Sequence, residues 1–210
     1  VEETFGSSGK KLNLFNKVIY LLTQPEEFFK ATRKENFSSS FIYLLFITAI
    51  PTAIKLALFF FGITLPGSDS IALILGGYAG VIIITFVLAG IFHIFAKLFG
   101  GSSGYVETYK AYVYGFTPSI LFSWIPYIGI LGLIYGAYIF IKGISLLHGL
   151  PSGKAFLVWF IPVLILGIIL LILIIILGVA ILSFLSGAYS QNPEFLNYLD
   201  ETGKFIKVLK

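Results

Sequence analysis

An all-α, polytopic membrane protein is the fold class this sequence predicts: a five-transmembrane-helix bundle preceded by short amphipathic N-terminal cytoplasmic helices. Three observations carry that prediction. Five long apolar stretches follow one another with short connections. Hydrophobic residues make up 58% of the chain and charged residues only 11%, and the mean hydropathy is +0.97, well outside globular usage. Lys and Arg content alternates from one connection to the next.

A spanning helix takes roughly 20 apolar residues. Five of them with their loops therefore use most of the 210 residues. Residues 1–11 carry Gly6-Ser7-Ser8-Gly9 and read as a flexible N-terminus. Residues 12–37 read as amphipathic or interfacial helices. In the first, Leu12, Phe15, Val18, Ile19 and Leu22 recur at helical spacing, while Asn13, Asn16, Lys17 and Tyr20 fall on the other side. That helix is too short to span, so it lies either on the membrane or against neighbouring protein. A second short helix starts at Pro25, which lacks only an amide that would be orphaned there anyway. Glu26 and Glu27 complement the positive end of its dipole.

The transmembrane domain is expected over residues 38–186, with spans near 41–61, 71–99, 109–124, 127–147 and 155–185. Ser38, Ser39 and Ser40 are available to cap the first, and Pro51 should kink it. The second is long enough to need tilt or a protruding end. Pro118 interrupts the third. The turn at residues 124–127 is so tight that the third and fourth must form an antiparallel hairpin. The fifth is almost uninterrupted Ile and Leu after Pro162. Residues 187–210 form a C-terminal tail.

Basic residues fix the expected orientation. Lys10, Lys11, Lys17, Lys30, Arg33, Lys34, Lys97, Lys110, Lys142 and Lys154 all fall on one side, and the two opposite loops hold none. A cell-membrane protein with a cytoplasmic N-terminus follows, and five spans then put the C-terminus outside. Lys204, Lys207 and Lys210 run against the trend, but Glu194, Asp200 and Glu201 accompany them. The net charge of +4 is spread along membrane edges, which suits anionic headgroups and not a nucleic acid.

Zero cysteines exclude disulfides, thiolate metal sites and a cysteine nucleophile. Methionine is also absent, an initiator included, as expected of a processed or late-starting chain. Every Asp and Glu lies outside the apolar segments, so no buried acid is placed to drive a proton-coupled transporter or an intramembrane protease. No catalytic residue, cofactor or metal site is expected. Lys55 lies six residues from the far end of the first span and reads as a snorkelling lysine. His93 and Lys97 share a helix face and read as an interfacial basic edge or an anion or headgroup site. His148 reads as a solvated turn residue.

Lys17, Lys30, Arg33 and Lys34, with His93 and Lys97, are thus the candidate lipid- or partner-binding residues. Gly76 and Gly80 form a small-xxx-small pattern for helix packing, within the bundle or between copies. Tyr112, Tyr135 and Tyr138, with the break at Pro118, form a candidate polar seam between the third and fourth helices. Belt and packing roles are the plainer reading of those tyrosines.

One longer pattern remains. Phe99-Gly100-Gly101 is followed by Tyr105, Thr108, Tyr114-x-x-x-Pro118, Trp124-Ile125-Pro126, Tyr135-Gly136-x-Tyr138, Gly143, Leu147-His148-Gly149 and Lys154-Ala155. In order and spacing this run resembles the Yip (Ypt-interacting protein) domain family. Gln24-Pro25-Glu26-Glu27-Phe28-Phe29 resembles the lead-in of its prokaryotic members. The resemblance implies five transmembrane helices, a cytoplasmic N-terminus and no established catalytic residue. Eukaryotic members resemble trafficking factors that associate with Rab-type GTPases and with one another. Their acidic Asp-Leu-x-Gly-Pro motif is missing here, which argues against a GTPase partner. The expected function is a non-enzymatic membrane protein that organises partners or lipids, as a homo-oligomer or bound to other membrane proteins. The rival is a transporter, channel or lipid-moving protein using the tyrosine seam.

Overall fold

The computed structural model describes residues 13–65, 67–125, 127–190 and 197. The expected flexible N-terminus and nearly all of the C-terminal tail lie outside these. The described residues form eight helices and no strand: α1 (Leu14–Thr23), α2 (Pro25–Thr32), α3 (Phe37–Phe60), α4 (Ile71–Leu98), α5 (Tyr105–Gly115), α6 (Thr117–Leu121), α7 (Ile128–His148) and α8 (Ser152–Ser190). Four of them, α3, α4, α7 and α8, are long and apolar enough to cross a membrane. The third apolar run is instead broken into α5 and α6.

Pro118 explains that break. It has no N–H to offer the carbonyl of Tyr114, and its ring crowds the preceding turn. The chain stays nearly helical because Phe116 N–H reaches Tyr112 O at 3.0 Å and Thr117 Oγ1 donates to Val113 O at 3.1 Å. α3 tolerates Pro51 in the same way, with Thr48 Oγ1 returning to Leu44 O at 2.7 Å and Thr52 Oγ1 to Thr48 O at 2.8 Å. The cap of α3 is Asn36, whose side chain accepts from Ser39 N–H at 3.1 Å. The helix therefore starts before the three serines expected to cap it, because an Asx side chain already fills that role.

The chain divides into two units, 1–162 and 163–210. In the first, α5 is the centre. Every residue from Thr108 to Gly115 is buried, against α3, α4 and α7. Tyr114 joins three elements: its ring meets Phe28 of α2 edge-on at 4.9 Å and Tyr43 of α3 at 5.0 Å. Phe92, Tyr112, Phe116 and Phe140 form a second aromatic group between α4, α5 and α7. Between α5–α6 and α7 the backbones touch. A Cβ on Gly132 would lie 2.7 Å from Pro118 O, and one on Gly136 2.8 Å from Gly115 O.

By contrast, nothing lies within 4 Å of a Cβ placed on Gly76 or Gly80. Packing of that pair inside the bundle is therefore corrected. The same Gly-x-x-x-Gly spacing at Gly132 and Gly136 is where helices close, because the broken α6 presents backbone there in place of side chains.

In the second unit, every residue over 163–187 is exposed and, before Ser183, apolar. A surface of that length and composition is one that hydrocarbon accepts.

Candidate functional site at the N-terminal end of the bundle

α1 turns Lys17 and Tyr20 of its polar side inward and leaves Asn13 and Asn16 exposed. Lys17, Tyr20 and Leu21 are buried, while Phe15 and Ile19 stand exposed. The cause is an ion pair. Lys17 Nζ donates to Glu35 Oε1 at 2.5 Å and to Ser39 Oγ at 3.1 Å. Glu35 Oε2 accepts from Ser39 Oγ at 3.1 Å and from Tyr114 OH at 2.8 Å. Three donors from α1, α3 and α5 thus converge on one carboxylate. Beside it a cavity of about 500 Å³ is lined by Leu14, Lys17, Glu35, Asn36, Ser38, Ser39 and Ile42. Lys17 was expected on a binding surface; it is a buried structural cation, because Glu35 offers the partner it needs away from water.

The neighbouring lysines are engaged differently. Lys30 is exposed and pairs with Glu27 at 2.7 Å, and that hydrogen bond pushes the Lys30 ammonium up from its ordinary value. Lys142 of α7 bonds Glu26 of α2, and this hydrogen bond, with the ammonium charge, holds the Glu26 carboxyl below its ordinary range. Lys110 is buried and donates to Arg33 O at 3.1 Å. Arg33 and Lys34 are exposed and form no ion pair among the described residues.

A second constellation lies between α4, α5 and α7. Thr108 Oγ1 is 2.8 Å from His93 Nδ1 and 2.8 Å from His148 Nε2. His148 is 1% exposed, so the solvated-turn reading is corrected. Gly149, with φ +67°, ends α7 right after it, and Ser102 and Ser103 cover the last carbonyls, Ser102 Oγ donating to His148 O at 3.1 Å and Ser103 Oγ to Leu147 O at 2.6 Å.

His148 Nδ1 is buried without a hydrogen-bond partner. A lone pair there costs less than a stranded N–H, so the favoured arrangement has His148 Nε2–H donating to Thr108. The Thr108 hydroxyl then donates to His93 Nδ1. Thr108→Val should leave both rings short of a partner and lower stability by about 1–3 kcal/mol. Thr108→Ser should restore it; equal unfolding midpoints for Thr108→Val and the parent would refute the relay.

Lys97 is exposed and reaches Gly101 O at 3.3 Å and Ser102 O at 3.4 Å, so it tethers the loop after α4. His93 and Lys97 share a helix face but not a site: one bonds inward, the other along the loop.

The three tyrosines of the expected seam have separate surroundings. Tyr112 is buried among Phe92, Phe116 and Phe140. Tyr135 and Tyr138 are 38% and 46% exposed, stacked on each other at 6.0 Å, and Tyr135 OH donates to Leu22 O at 2.7 Å. Pro118 is buried where its carbonyl meets Gly132, and with Gly132 and Tyr135 it lines a cavity of about 270 Å³ whose other walls, Leu22, Phe122, Ile128 and Leu131, are apolar. Among the described residues no group of three His, Cys, Asp or Glu could hold a metal.

The roles of Glu35, Thr108 and His148 are not visible in the sequence. Glu35 sits in a polar run with nothing to mark it, and its partners stand 18 and 79 residues away. His148 carried one readable signal, a histidine just before a glycine at a helix end, where the carbonyls accept a positive or N–H-bearing group.

No curated protein and no solved structure matches the chain. A family profile described as the Yip1 domain matches residues 19–175, from α1 into α8. With most of its length inside that match and its helices apolar enough for a bilayer, the chain is a multi-pass integral membrane protein belonging to the Yip1 domain family.

Proposed function

We propose that this protein organises lipids or partner proteins at a membrane without performing chemistry of its own, docking through its N-terminal face. The observation that carries the reading is the tethered α1. Its Lys17 is held by Glu35, while Phe15 and Ile19 face outward together with Asn13 and Asn16, the mixed surface an interfacial helix presents. The Lys17–Glu35 pair holds this helix to the segment bearing Arg33 and Lys34, so apolar contact and unpaired positive charge are offered at the same end of the bundle. Lys30, half-neutralised by Glu27, contributes less.

In this reading residues 105–121 make the fifth crossing. At the helical rise they cover roughly 25 Å, nearly the hydrocarbon thickness, and their α5 part is wrapped by other helices and so needs no lipid-facing apolar side. The basic residues then place the N-terminus in the cytoplasm and the C-terminus outside the cell membrane. A second copy or another membrane protein would pack on the open Gly76–Gly80 face of α4. The lipid bilayer is the first partner, and a Rab-type GTPase has no motif here to bind.

In nanodiscs with increasing anionic lipid, Arg33→Gln/Lys34→Gln should lose about 1 kcal/mol of anionic-lipid enrichment per residue at low salt. Lys30→Gln should change enrichment less, because Glu27 already pairs with that lysine. Unchanged enrichment in the double variant would sink the docking surface.

A further inference from the structure

At the other end of α3 lies a cavity of about 300 Å³ between α3, α4 and α6. Its lining from α3 includes Thr48, Thr52 and Lys55, at helical spacings that put all three on one face. A lysine that merely escapes to the headgroups has no need of an inward face. Lys55 is half-buried, and no ion pair or hydrogen bond holds it among the described residues. Among the described residues no carboxylate lines the cavity. The same cavity is lined by Ser119 and Ser123, whose hydroxyls have no partner among the described residues, and by Tyr78, whose OH reaches Leu45 O at 3.5 Å.

A cation inside a membrane span is costly unless something compensates it. Here one positive charge and two uncommitted hydroxyl donors line a space that holds no anionic side chain among the described residues. Such a set matches a phosphate oxygen cluster, which accepts several hydrogen bonds and carries the missing charge. The volume sits at the bottom of the range for ligand pockets, roughly 300–1,000 Å³, so it admits a headgroup and not a whole lipid. The neighbouring outer surfaces of α4, with Ile71 and Leu73 exposed, are apolar and would run beside acyl chains.

We propose that Lys55, Ser119 and Ser123 form a binding site for a phosphate group, carried by an anionic phospholipid headgroup or free as inorganic phosphate. The site is separate from the N-terminal face: Lys55 is 18 residues beyond the start of α3, about 27 Å along the helix.

The test is native mass spectrometry of the purified protein with dioctanoyl-phosphatidylglycerol, with sodium phosphate as a second probe and competitor. One phosphatidylglycerol should bind the parent protein in preference to phosphatidylcholine. Lys55→Gln should weaken it by at least about tenfold, and Lys55→Arg should keep it. Gly77→Leu supplies an independent check. Nothing lies within 4 Å of a Cβ at Gly77, so the helix accepts the substitution while the side chain enters the cavity and should block binding.

Arg33→Gln/Lys34→Gln should leave this binding event intact, which separates it from the docking surface. Displacement by millimolar phosphate would identify the free anion as a ligand, and resistance would identify the lipid; both support the site. Undiminished phosphatidylglycerol binding in Lys55→Gln would overturn it. So would loss in Lys55→Gln with full binding in Gly77→Leu, because the charge would then act outside the cavity.

Discussion

Glu35→Ala should destabilise the protein by about 3 kcal/mol, the low end of what is lost when one partner of a buried ion pair is removed. Lys17 has only 6% of its side chain exposed, and without the carboxylate its charge stays in a poorly solvated place. Glu35 itself retains 25% exposure, so water can enter and soften the loss. Tyr114 OH and Ser39 Oγ would also lose their acceptor. The double variant Lys17→Met/Glu35→Gln should recover most of the loss, because no uncompensated charge remains and the amide oxygen still accepts from Tyr114. Unfolding in graded denaturing detergent measures both. A double variant as unstable as Glu35→Ala would show that the pair's charge is not what the fold depends on.

Gly136→Ala and Gly132→Ala should each cost about 2 kcal/mol by overpacking, and valine at either position more. Their Cβ atoms would stand 2.8 Å from Gly115 O and 2.7 Å from Pro118 O, and backbone cannot rotate aside as a side chain can. Gly80→Ala provides the contrast. With no atom near its Cβ, it should be neutral or stabilising by about 0.8–1 kcal/mol through helix propensity. If all three substitutions behave alike, the close approach of α7 to the broken α5–α6 segment is wrong.

Those two glycine pairs show how far a sequence can be read here. Identical spacing occurs in α4 and α7, and nothing local distinguishes them. The difference lies in what crosses opposite: the Pro118 break brings bare carbonyls to Gly132 and Gly136, while Gly76 and Gly80 face away from the bundle. Hydrophobic length was legible because it depends only on composition within one helix, and α3, α4, α7 and α8 follow from it.

The third run was harder. Its centre, Tyr109 to Tyr114, is buried by other helices, so apolarity there reflects protein contact as much as lipid. Side-chain roles were least legible. A surface reading of Lys17 assumed that polar residues of an amphipathic helix seek water. Glu35 reverses that, and its position opposite Lys17 is set by the turn between α2 and α3. The solvated-turn reading of His148 failed for a related reason: which way a polar residue points from a helix depends on neighbours that are distant in the chain.

The last helix carries a consequence of its own. Residues 155–182 form an unbroken run of 28 non-ionisable, largely aliphatic residues, about 42 Å at the helical rise. A typical hydrocarbon slab offers roughly 30 Å. The surplus must be absorbed by leaning or by drawing the surrounding lipids thicker, at fractions of a kcal/mol per Å. This single helix therefore gives the protein a preference among membranes of different thickness, independent of any headgroup it binds.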